Sequence, residues 1–95
     1  MFIRVVRSSI DPAKIDDALA LKEDAIAATK RQSGFVSFQG AVSRSTGAII
    51  TISTWETEDA AKLPVREVLG DILDRLEAAG LQVSSVDTYE VAWSV

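Results

Sequence analysis

The side chains able to do chemistry in this chain are few, and most of them crowd into one segment, GFVSFQGAVSRSTGAIITISTW, from Gly34 to Trp55. In extended chain alternate residues share a face. One face then holds Phe35, Ser37, Gln39, Ala41, Ser43, Ile49, Thr51, Ser53 and Trp55, a mixture of hydroxyls, one amide and a large aromatic at the strand end. Such a face suits a part-polar pocket, and the candidate substrate-binding residues on it are Ser37, Thr51, Ser53 and Trp55. For Trp55 two readings stand: lining that pocket, or closing the end of the sheet over the core as large aromatics do.

What the chain lacks is as informative. It has no histidine, cysteine or asparagine. Haem held by its usual ligand, histidine triads, His-based metal sites, thiolate catalysis and disulfides are therefore excluded. The acidic residues fall mostly on outward helix faces, so no metal and no cofactor is expected.

The elements that must position these groups are legible. Phe35 to Arg44 and Ala48 to Trp55 are rich in β-branched and aromatic residues, and Ser45-Thr46-Gly47 gives a three-residue loop its left-handed glycine. If Arg44 sits opposite Ala48, the second face carries Val36, Phe38, Gly40, Val42, Ile50, Ile52 and Thr54 and is apolar. A slip of one residue would mix the two sets.

Before the hairpin, Phe2 to Ile10 reads as a strand, with Ile3 and Val5 on one side and Phe2, Val6 and Ile10 on the other. Asp11-Pro12 opens a helix running to about Arg31, and Gly34 follows it. On its wheel Ile15, Ala18, Leu19, Leu21, Ala25 and Ile26 form a broad apolar half. Lys22 projects from the middle of that half. Either its stem packs while the ammonium snorkels to water, or it points between helix and sheet toward an anionic or carbonyl-bearing ligand.

After Trp55, Thr57 is placed to cap a short helix that begins with Glu58 and Asp59. Pro64 restarts the helical pattern, and Val65, Val68, Leu69, Ile72, Leu73, Leu76 and Ala79 form a buried stripe ended by Gly80. Asp71 and Arg75 are spaced to pair on its outer side. Val86 to Val95 alternates as a fourth strand, with Tyr89 and Trp93 on one side and Thr88 and Glu90 on the other. Arg4, Arg7 and Arg44 read as solvated edges. Glu90 reads either as a sheltered base or as one half of an ion pair between subunits.

The order β-α-β-β-α-β defines an α+β, ferredoxin-like plan, an antiparallel sheet with both helices on one face. Residues 1–95 make one domain, small enough to gain from pairing and, at 47% hydrophobic, apolar enough to meet a partner. Net charge is −4 with no basic run, which argues against nucleic acid. No apolar run approaches a membrane span and no signal-peptide layout opens the chain, so a soluble, cytoplasmic protein is expected.

The block G34FVSFQGAVSRSTGAIITISTW55ETEDAAK, a post-helix glycine, a hairpin ending in tryptophan and an acidic short helix, resembles the dimeric α+β barrel superfamily, and within it the antibiotic biosynthesis monooxygenase type. The resemblance implies a homodimer in which apolar sheet faces pack as a barrel and each subunit keeps a pocket between its own sheet and helices. It also implies oxidation of polycyclic phenols without metal or flavin, the substrate anion passing an electron to oxygen itself. Trp55 matches the family's pocket tryptophan. Four residues earlier, where active members often carry asparagine, this chain has Thr51. Two functions are thus expected in competition: a cofactor-independent monooxygenase, or related isomerase or cyclase, on an aromatic or polyketide-like molecule; or a non-catalytic dimeric binding module.

Overall fold

The hairpin forms, but its loop is one residue longer than the spacing predicts, and this moves a whole strand's side chains. In the computed structural model, which describes Met1–Val95, β2 spans Phe35–Ser43 and β3 Ala48–Trp55. Ser43, not Arg44, faces Ala48. Gly47 explains the closure, because its φ is +79° and a β-carbon there would lie 1.8 Å from the Ile10 carbonyl oxygen. That approach is used by a hydrogen bond from the Ile10 N–H to the Gly47 carbonyl at 2.9 Å.

The register corrects the expected faces. Val42 pairs with Ile49, Gly40 with Thr51 and Phe38 with Ser53, so Phe38, Gly40 and Val42 share the face of Thr51 and Ser53. Ser37 pairs with Thr54 and falls on the opposite face. A register shift between Phe35 and Ser37 then restores Phe35 to Trp55, against which its ring packs edge-on at 5.8 Å. The extra residue, Val36, is left 41% exposed rather than in an apolar sheet face.

β1 (Phe2–Ser9) lies in the centre of a four-stranded antiparallel sheet of order β2-β3-β1-β4, and β4 spans Gln82–Glu90. This is the ferredoxin-like arrangement. β4 begins and ends several residues earlier than its alternation predicts, and beyond it Trp93 is 82% exposed.

Both helical stretches are broken. A 3-10 turn (Pro12–Lys14) leads into α1 (Ile15–Leu19) and, after a turn at Ala20 and Leu21, α2 (Lys22–Lys30). The Asp11 carboxylate accepts from the Ala13 N–H, so the opening is as read. Thr57 caps α3 (Glu58–Ala61) by accepting from the Ala60 N–H at 3.1 Å. The stripe after Pro64 is divided into α4 (Val65–Leu69) and α5 (Asp71–Ala78) at Gly70, whose φ of +58° with ψ of −132° interrupts the spiral. Arg75 pairs with Asp24 of α2 at 3.0 Å instead of Asp71, while Arg66 takes Asp74 and Glu77.

These segments roof one face of the sheet. The other face presents Ile3, Ile50 and Ile52 from the central strands, with Arg7 opposite Ile50 and Val5 already buried among them. No helix of the chain is long and apolar enough to cross a membrane.

Candidate ligand cavity

Between the helices and the inner face of the sheet is a cavity of about 520 Å³, of which seventeen of the twenty-four lining residues are hydrophobic. The sheet contributes Arg4, Val6 and Ser8 from β1, Phe38, Gly40 and Val42 from β2, and Ile49, Thr51 and Ser53 from β3. Leu21, Ile26, Val65, Leu69, Leu73 and Leu76 close it from the helical side. Its size and chemistry match the usual range for small-molecule sites, apolar walls with a few polar groups.

Of the five candidate residues, three line this space. Thr51 and Ser53 stand side by side on the floor, and Lys22, the first residue of α2, borders it. Lys22 is exposed, so its stem edges the cavity while its head meets water, between the two readings offered for it. Ser37 does not line the cavity, because the longer loop turns it to the far face. Trp55 does not line it either: it is completely buried at the end of the sheet.

Trp55 nevertheless organises the cavity's deep end. Its Nε1–H donates to the Ser53 hydroxyl oxygen at 2.8 Å, and the Arg4 guanidinium carbon lies 5.4 Å from its ring centroid. Arg4 is the residue that sequence reasoning missed. Taken as a solvated edge, it is 4% exposed and donates a hydrogen bond to the Leu63 carbonyl oxygen at the end of α3. Burial lowers its pKa from the ordinary arginine value. The signal was present, since Arg4 has the same parity as Phe2 and Val6 and so had to share their inward face.

Thr29 lines the roof with its hydroxyl already donated to the Ala25 carbonyl oxygen at 2.8 Å. Glu90 is exposed at the end of β4, away from the cavity, and is not a sheltered base. Tyr89 faces outward, half exposed, opposite Ile3.

An antiparallel β2-β3-β1-β4 sheet roofed on one face, with a cavity between sheet and roof, is a ferredoxin-like α+β fold. Solved structures carry that assignment. The chain superposes on an antibiotic biosynthesis monooxygenase with a TM-score of 0.74 at 16% identity, over 97% of this chain and 99% of the other. It matches SnoaB, a cofactor-independent oxygenase from Streptomyces nogalater, with a TM-score of 0.69 at 22% identity, over 99% and 95% of the two chains. Rv0793 from Mycobacterium tuberculosis gives 0.68 at 17% identity, over 99% and 98%. No family sequence model and no curated protein sequence matches the chain.

Proposed function

We propose that this protein is a small-molecule-binding homodimer that oxygenates an aromatic or polyketide-like substrate without a cofactor. The observation that carries the reading is the apolar cavity floored by Ser53 and Thr51, in a fold it has in common with a cofactor-independent oxygenase. In such a reaction the substrate supplies all the electrons. A ring CH₂ flanked by phenolic rings becomes a carbonyl, one atom of O₂ enters it, and the other leaves as water with the two hydrogens. The protein's part is to bind the substrate anion, offer it donors and keep water out.

Pairing uses the uncovered sheet face. Ile3, Ile50 and Ile52 form its apolar centre around the already buried Val5, and each 400 Å² of apolar surface removed from water contributes on the order of 10 kcal/mol before the cost of association. A second copy of the same face supplies the matching surface.

One observation favours a binding module without catalysis: Thr51 offers a single hydroxyl where a carboxamide would give two donors and an acceptor, and no carboxylate lines the cavity. The readings separate by experiment. Purified protein is mixed with an anthrone-type phenol, and oxygen uptake is followed together with binding, read from Trp55 fluorescence in a Trp93→Phe background. Binding with carbonyl product formation above the uncatalysed rate supports the oxygenase. Binding without turnover supports the module, and no binding of any polycyclic phenol removes both.

A further inference from the structure

The charge of the cavity runs opposite to that of the protein. The chain's net charge is −4, yet no aspartate or glutamate lines the cavity, and its two charged side chains, Arg4 and Lys22, are both cations. They differ in depth. Lys22 is exposed at the border, whereas Arg4 is almost fully buried.

A guanidinium taken out of water ordinarily meets a carboxylate, because an uncompensated charge in a low-dielectric site is costly. Arg4 has none. Its one hydrogen bond goes to the Leu63 carbonyl, and the Trp55 ring lies against it. Of the two acidic residues on the neighbouring strand, Asp87 lies on the other face and is engaged by Arg7 at 3.5 Å, and Glu90 is exposed at the strand end with no ion pair to Arg4. Of the five N–H donors of an arginine most are therefore uncommitted, and none of its nitrogens is both sealed from solvent and unbonded. Those donors open onto reachable space. Arg4 also borders a second cleft, lined by Lys62, Leu63 and Asp87, where the Leu63 carbonyl takes one of its N–H groups. On the cavity side Ser53 stands directly opposite Arg4 in the β1–β3 register. Its oxygen accepts from Trp55, so its own O–H remains available to donate toward the same point.

We propose that the cavity selects an amphiphilic anion, an apolar ring body bearing one oxyanion, with the oxyanion held by Arg4 and Ser53 and the ring among the aliphatic side chains of the roof. This deepens, and rests on, the reading of the cavity as a ligand site. A carboxylate and a phenolate present the same chemistry to a guanidinium, which favours either through charge-assisted hydrogen bonds. Arg4 is a binding residue in this account, fixed in place by Trp55 and Leu63.

Calorimetric titration of the unmodified protein with 2-naphthoate and with its uncharged isostere 2-naphthamide tests the proposal without any variant. The expected result is an affinity for naphthoate about tenfold or more above that for the amide, the range of a charged hydrogen bond. 2-Naphthol, titrated below and above its own ionisation, separates the headgroups. Tightening of the naphthol on ionisation with no naphthoate preference assigns a phenolate, and the reverse assigns a carboxylate. Equal affinity for charged and neutral forms in both series overturns the proposal while leaving the cavity reading intact. Absence of binding by all three overturns the cavity reading and the proposal with it. Arg4→Lys, which keeps charge but not the planar fork, is expected to retain part of the preference, and Arg4→Met, where it folds, to abolish it with amide affinity unchanged.

Discussion

Trp55 and Lys22 exchange the parts that residue type alone would assign them. The indole is the better ligand platform, yet it is sealed behind Ser53 and Arg4, and its work is to hold both in place. Trp55→Ala is therefore expected to act on stability first, costing about 3–5 kcal/mol in urea unfolding, a large share of what a domain this size has. Lys22 is exposed and takes part in none of the chain's ion pairs. Lys22→Met is expected to leave stability within about 0.5 kcal/mol, because surface changes of this kind are small. The variant should weaken an anionic ligand only about two- to threefold, since a solvent-screened charge contributes little. A tenfold loss in the same titration would move the principal anion contact from Arg4 to the border.

At the level of elements, sequence periodicity located every strand and helix region and misplaced their joints. The hairpin shows why. Strand propensity identified both arms, but whether the loop takes three residues or four rests on where Gly47 meets the Ile10 carbonyl, a contact 37 positions away in sequence that local pattern cannot see. That one-residue difference carried Phe38 and Val42 into the cavity and Ser37 out of it, as the period of two requires. Gly70 is the second case, since the apolar stripe on either side of it keeps helical spacing while the backbone does not. A β-carbon at Gly70 would touch nothing within 4 Å, so Gly70→Ala isolates conformational strain from crowding. The expected cost is about 1–3 kcal/mol in urea unfolding. Gly47→Ala, which meets backbone at 1.8 Å, is expected to cost more than Gly70→Ala. The reverse order would mean that the α4–α5 joint, not the hairpin, governs the fold.

For the molecule as a whole, one sheet face is roofed and the other, with Ile3, Ile50 and Ile52, is the face proposed to pair. The expected state at micromolar concentration is a dimer in sedimentation equilibrium, and Ile52→Asp, which places a carboxylate opposite Val5 with no cation directly across from it, is expected to shift it to monomer or to lower its stability steeply, because a carboxylate cannot be buried unpaired. A wild type that sediments as a stable monomer would refute the pairing.

The roof itself has a consequence for how folding and occupancy are coupled. Its segments span four to nine residues, each too short to persist as an isolated helix. They are held by apolar side chains such as Leu21, Ile26, Val65 and Leu69 that are only half-buried along the cavity. On the proposed function, a ring system lying among them would complete their burial and act as a missing piece of the hydrophobic core. By mass action, ligand at a hundred times its Kd adds about 2.7 kcal/mol to the folded state. That corresponds to a rise in Tm of roughly 10 °C or more for a chain of this size, at about 4–8 °C per kcal/mol. Heat resistance in a mixture of candidate compounds then becomes a readout of recognition, with the protein selecting by melting temperature the molecule it was shaped around.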